Sequence, residues 1–420
     1  MMTPRIVSPK STSIAEAPIL KRSLNLWLLT LYGLGTTIGA GIYVLIGTVA
    51  GKAGMQAPFS FLVAALVASF TAYSFSQLSI RYPRSAGEAV YVKEAFSYQW
   101  LSTVVGLVVA LSSIIAAAAI LSGASGYVRL FVDLPSAWII VGLTVGLGLL
   151  AAWGIKQSAM LAGLFTLIEI VGLLGVVWFG IQGTPDLLQR LPEIQPTLGF
   201  SSWNGILAGS MLAFFAFIGF EDLINMAGEV VDVRKTLPRA IFLSLIISSI
   251  LYFLVVTVAV LAVPPTQLAA SETPIALIVA RGATVSPKLI GAITIIATVN
   301  GALIQMILAA RVFYGLGHTG GLPPILGRVN RATQTPLLAT MLVVLSVLIA
   351  GALFPLEELA QFTSLLTLAI FAVVNLALLW IELRDANGKN IWRVGILIPF
   401  VGALVSGGFM IADLIRLASG

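Results

Sequence analysis

A chain of 420 residues that is 59% hydrophobic and 10% charged, with a mean hydropathy of +1.04, has too few charges to cover a soluble globular surface, where about a quarter of residues carry one. Its net charge of +6 is spread through connecting segments instead of forming a patch, which argues against nucleic acid and for orientation in a membrane. With no cysteine and a single histidine, His318, it has no means of building disulfides, thiolate chemistry or a histidine-held zinc or haem centre.

The polar stretch 1–22, with Arg5, Lys10, Lys21 and Arg22, precedes an apolar run much longer than a signal-peptide core, and is expected to be a cytoplasmic tail. Apolar runs long enough to span a bilayer lie near 25–50, 57–80, 98–131, 134–153, 157–182, 202–229, 237–263, 287–317, 335–354, 357–381 and 394–417, eleven in all. With the N-terminus inside, the inner connections collect seventeen of the 23 lysines and arginines and the outer ones six. That asymmetry predicts a multi-pass protein of the plasma membrane, with its C-terminus on the extracytoplasmic side.

The first run holds Tyr32-Gly33-Leu34-Gly35-Thr36-Thr37-Ile38-Gly39-Ala40-Gly41-Ile42-Tyr43. Each glycine weakens a helix by about 1 kcal/mol relative to alanine, so this span can break, and the opened amides of Gly39, Ala40 and Gly41 would face a carboxylate. The same small residues also suit close packing against a neighbouring helix, and spacing alone leaves both readings open. Proline-rich outer loops at 183–201 and 264–286 divide the chain into two five-segment halves and one extra segment. A second glycine-interrupted run, Phe214-Phe215-Ala216-Phe217-Ile218-Gly219-Phe220-Glu221-Asp222, opens the later half. The expected fold is therefore an all-α polytopic membrane protein of about eleven transmembrane helices. It has two inverted five-helix repeats, 23–182 and 202–381, with broken first and sixth helices, and one extra helix in 391–420.

Three acids fall inside spans: Glu169 in the fifth, and Glu221 with Asp222 in the sixth. An ionisable group there costs several kcal/mol and is a functional candidate, though a neutral carboxyl hydrogen-bonded between helices has the same sequence signature. Glu169 and Glu221 are candidates for proton coupling, and Asp222 for a helix-end partner of inner cations. Asn300 and Asn375 either line a cavity or bridge helices. No phosphate loop, catalytic pair or metal motif points to an enzyme.

Three ordered motifs resemble the amino acid–polyamine–organocation transporters, from the first segment to the tenth. They are Gly33-x-Gly35-x-x-x-Gly39-Ala40-Gly41-Ile42; the run Phe214 to Glu221 with Glu229 and Leu237-Pro238; and Arg311-x-x-Tyr314 with Gly320-x-Leu322-Pro323 and Thr335-Pro336. The resemblance implies the leucine-transporter fold and an amino-acid permease working by alternating access. It places the α-carboxylate on backbone amides of Thr37, Ile38, Gly39, Ala40 and Gly41. It places the α-ammonium on carbonyls of Phe215, Ala216, Phe217, Ile218 and Gly219, with Phe215 as an aromatic gate. Departures bear on mechanism. A twelfth segment is missing, Gly228 and Val233 replace the usual Glu and Pro, and His318-Thr319 replace Arg-Asp. Leu111-Ser112-Ser113 lacks the acid that cationic carriers often hold there, which favours a neutral substrate. Glu169 stands where many relatives have a lysine, so a proton carried by Glu169 or a sodium ion held by it is the expected coupling ion, with no other cofactor. An exchanger without ion coupling and a non-transporting amino-acid sensor are the alternatives. The expected partners are a small-molecule amino acid and the lipid bilayer.

Overall fold

The computed structural model describes residues 24–82, 87–153, 159–197, 199–282, 287–318, 320–330, 333, 335–385 and 396–419, and the tail expected over 1–22 falls outside them. The described residues form helices and turns, with one isolated bridge between Leu24 and Val230. The first span is two helices, α1 (Leu26–Thr37) and α2 (Ala40–Ala53), separated at Ile38 and Gly39. Next come α3 (Ala57–Arg81), the connector α4 (Gly87–Phe96), α5 (Gln99–Val128), α6 (Ser136–Trp153) and α7 (Ala159–Gln182). A short α8 (Leu187–Arg190) leads to α9 (Phe200–Phe215), which unwinds over 216–219 and continues as a 3-10 helix, Phe220–Glu229. The chain then runs through α10 (Val233–Ala262), α11 (Pro265–Ala269), α12 (Pro274–Gly282), α13 (Pro287–His318), α14 (Leu337–Leu353), α15 (Leu356–Asp385) and α16 (Leu397–Ser419).

By length and composition eight helical stretches among the described residues can cross a membrane, the longest, Gly41–Arg81, running through α2 and α3, and α6 and α14 add two shorter apolar helices. The first and sixth spans are the broken ones, and α16 follows the tenth. Leu149, Val171, Leu345 and Leu404 lie more than half exposed, as side chains do on a surface solvated by lipid.

The broken spans sit at the centre. Helix α5 packs along α13 and α3 along α10, while α1 and α2 lie against α10 and α9. Phe371 of α15 is met edge-on by Phe75, Phe214 and Phe220, with ring centroids 5.6, 5.6 and 5.5 Å away, which ties the second, sixth and tenth spans together. Asn375 bridges helices: its Nδ2 donates to Thr71 Oγ1 at 2.8 Å, and Ser74 Oγ donates to its Oδ1 at 2.6 Å. A side chain on Gly402 would collide with this amide, so glycine lets α16 close onto α15.

Candidate functional site

Helix α1 stops because its own hydroxyls compete for its carbonyls. Thr37 Oγ1 donates to Gly33 O at 2.8 Å, and the Thr36 hydroxyl is shared between Gly33 O at 3.0 Å and Gly219 O, across the bundle, at 2.9 Å. The two bends fit together through glycine. A Cβ on Gly41 would overlap Ala216, and one on Gly219, whose φ is +124°, would overlap the Thr36 carbonyl. Tyr252 of α10 braces both, its hydroxyl lying 2.7 Å from Thr37 O and 2.9 Å from Ala216 O. At one end of these spans Val231 N donates to Leu24 O at 3.0 Å, pinning the start of the first span to the end of the sixth. The glycines therefore serve both readings the sequence left open: Gly39 and Gly41 line an opening, while Gly33 packs against Leu223 and Ser244.

Helix α2 begins at the break with no side-chain cap on Gly39, so the amides of its first turn present the positive end of the helix dipole. They face a hollow of about 20 Å³, lined by Thr36, Thr37, Gly39, Gly41, Phe215 and Ile218 from the two broken spans and by Ala116, Ile120, Gly301, Ile304 and Gln305 from α5 and α13. That volume holds about one water-sized sphere. Ala116, Ile218 and Gln305 also line a second cavity of about 600 Å³, so the hollow adjoins a vestibule large enough for a small organic molecule. The vestibule lies toward the end that carries Lys93 and Arg311.

The opposite end is closed. Tyr127 donates to Tyr43 O at 2.7 Å, Gly47 and Gly126 lie against the backbone of Leu268 and Glu272, and Lys52–Glu357 (2.8 Å) and Arg129–Glu272 (2.9 Å) form ion pairs across it.

Of the residues expected to bind substrate, Thr37, Gly39, Gly41, Phe215 and Ile218 line the hollow. Ile38, Ala216, Phe217 and Gly219 form the bends outside its lining, and Phe217 turns toward the Tyr252 ring at 5.1 Å. Ala40 starts α2, and its side chain is outside the described set. The carbonyls of Phe215 and Ala216 already accept from Ile218 N at 3.3 Å and from Tyr252, leaving each one further lone pair.

Glu169 on α7 is fully buried, and neither carboxyl oxygen has a hydrogen-bond partner among the described residues. Tyr43 donates to its backbone carbonyl at 3.0 Å. Glu221 Oε2 accepts from Gly219 N at 2.8 Å and so fastens the bend of the sixth span. Asp222 is not the partner of inner cations that its position suggested: it is nine-tenths buried in the vestibule wall, and its Oδ2 has no partner among the described residues. The burial of the adjacent Phe220 and Leu223 carries it inward with them.

Sequence reasoning passed over Glu88. It shares a stripe of α4 with Tyr91, Val92 and Ala95, all buried, and this i, i+3, i+4, i+7 spacing was the available signal. Burial pushes its carboxyl from the ordinary 4.5 up to about 7, against the opposing pull of its own backbone N–H. Ile120, Gly301, Ile304 and Gln305 were missed as lining, because nothing local marks which face of α5 or α13 meets the breaks, and Thr36 was passed over beside Thr37.

Two interrupted spans locked face to face around a closed-off hollow, open by way of a vestibule at one end only, define a membrane transporter. The chain belongs to the family described as Amino acid permease, whose profile matches residues 24–415. It is 29% identical to the branched-chain amino acid permease BcaP of Bacillus subtilis (strain 168) over 399 residues, 88% of this chain and 82% of that protein. BcaP of Lactococcus lactis subsp. cremoris (strain MG1363) is 28% identical over 403 residues, 90% and 85% of the two chains. The vacuolar cationic amino acid transporter 2 of Arabidopsis thaliana is 29% identical over 389 residues, 86% of this chain and 60% of that one. The family is one of permeases, and this chain is a transporter rather than an enzyme.

Proposed function

We propose that this protein moves neutral amino acids across the plasma membrane by alternating access, coupled to protons. One observation carries the reading: the uncapped start of α2 opens on a hollow whose other wall is the second broken span, so free amides face the broken backbone of its partner, groups suited to the two ends of a zwitterion. The walls beyond the breaks, Ala116, Ile120 and Ile304, carry no charge, which suits an aliphatic side chain, and two relatives are named for branched-chain substrates. The N-terminus lies in the cytoplasm and the C-terminus outside, as the distribution of basic residues favours. The repeats 23–182 and 202–381 each supply one broken span to the site, with 391–420 outside the cycle.

Glu169 carries the proton. A buried carboxyl with no partner among the described residues is expensive when charged, and a proton relieves that cost. Uptake of radiolabelled leucine, isoleucine, valine and alanine into proteoliposomes, with and without an imposed pH gradient, tests the whole reading. Saturable accumulation that collapses with the gradient is expected, and no saturable flux or exchange of any of them sinks it. Glu169→Gln should keep binding and exchange but lose gradient-driven accumulation; accumulation at the wild-type level removes Glu169 from the coupling step.

A further inference from the structure

The vestibule has a feature that amino-acid transport at the breaks does not use. Glu88 of α4 and Glu221 and Asp222 of the sixth span line it together as an acidic floor, all less than a tenth exposed. Glu221 is already engaged by the Gly219 amide, but Asp222 Oδ2 is not engaged by any described group. Gln305, also nine-tenths buried, lines the same cavity, and no side-chain hydrogen bond is made by it among the described residues. The basic groups on this cavity, Lys93 and Arg311, are exposed toward the mouth, where solvent screens them. Three buried carboxyls set against two exposed bases make the floor rich in oxygen acceptors, which a bound cation would hold in their ionised form.

A bare metal ion does not fit: among the described residues no three acids converge as ligands for one. A polyatomic cation does, because several N–H donors can meet acids set apart from one another while Ile218, Leu308, Ile370 and Phe371 enclose a hydrocarbon stem. We propose that this floor is a binding site for an organic cation, a guanidinium or primary ammonium head on an apolar stem, adjoining the hollow at the breaks and sharing Ile218 and Gln305 with it. Asp222 and Glu88 accept from the head, and the Gln305 amide oxygen completes the set. The site does not depend on what the breaks carry. Its head can come from a carboxylate-free amine or from the side chain of a basic amino acid.

The test uses the full chain in nanodiscs of zwitterionic lipid, titrated by calorimetry with n-butylguanidinium, with n-butylurea as its uncharged counterpart, and with arginine. We expect n-butylguanidinium to saturate, n-butylurea not to bind, and Asp222→Asn to weaken binding tenfold or more. Glu88→Gln should weaken it as well and serves as the second variant; only preparations that elute and melt as folded protein are compared. Arginine that competes with n-butylguanidinium extends the site to basic side chains, and arginine that does not compete restricts it to carboxylate-free amines. Equal binding of the charged and uncharged probes, no binding of either cation, or undiminished affinity in both variants overturns the proposal. Leucine flux measured on the same purified protein in proteoliposomes separates the two readings: cation binding without flux sinks only the transport assignment, and flux without cation binding sinks only this site.

Discussion

At the scale of single residues, Glu88 has the most direct thermodynamic consequence. Its carboxyl titrates near 7 in the folded protein and near 4.5 when exposed, so between these values the folded state holds a proton that the unfolded chain has lost. Stability therefore falls as pH rises through that window, by about 3 kcal/mol if the whole shift is expressed. Glu88→Gln removes the titration. The variant should melt close to wild type at pH 5 and several degrees above it at pH 8, and a gap independent of pH would refute the burial account. Asn375 offers a complementary case, in which both partners of a buried polar set matter. Asn375→Leu strands Thr71 and Ser74 and should lower the thermal midpoint by an amount equivalent to 1–3 kcal/mol, roughly the cost of leaving buried groups unpaired.

At the scale of elements, the breaks make a sharper prediction about glycine. Gly219→Ala forces a Cβ into a positive-φ position and onto the Thr36 carbonyl, which costs roughly 1–3 kcal/mol for the backbone alone. Gly142 in α6 has open space around its absent Cβ, and Gly142→Ala should be neutral or stabilise by about 0.5–1 kcal/mol. Thermal melting of the pair in detergent separates a glycine the geometry demands from one it merely tolerates; equal effects would mean the bend relaxes freely. The sequence revealed much of this level. Unbroken apolar runs marked the spans, since hydrocarbon leaves no other way to satisfy a backbone, and glycines with threonines marked both interruptions. It did not reveal that the second half of the sixth span is a 3-10 helix. That tighter coil rises about 2 Å per residue, against 1.5 Å in an α-helix, and its length brings Val230 to Leu24, a contact between residues far apart in the chain. Tyr252 was invisible for the same reason: its role lies in two carbonyls, one on the first span and one on the sixth, that no local pattern around α10 announces. The acids were legible as candidates but not in their roles, because the one that fastens a bend and the one left open to the cavity are neighbours in sequence, Glu221 and Asp222.

At the scale of the whole molecule, the structure is a choice between two closures, and the ion pairs at one end bias it. Lys52–Glu357 joins the end of the first span to the start of the tenth, and Arg129–Glu272 joins the third span to the loop between α11 and α12. All four side chains are about half exposed, so each pair contributes roughly 0.2–1 kcal/mol to holding that end shut. Removing both with Glu357→Gln and Glu272→Gln shifts the population toward opening on that side by about 2- to 30-fold, on the scale of 1.4 kcal/mol per factor of ten. Because the chain has no cysteine, the shift can be read with a single introduced thiol. Val109→Cys in the vestibule wall should react with a membrane-impermeant thiol reagent from the vestibule side, and its rate should fall when the two pairs are broken, since the vestibule narrows as the far end opens. High salt should mimic part of the effect by screening the same exposed charges. An unchanged rate would mean that closure at the far end is set by the backbone contacts of Gly47 and Gly126 with the α11–α12 loop, with the charges contributing nothing to the balance.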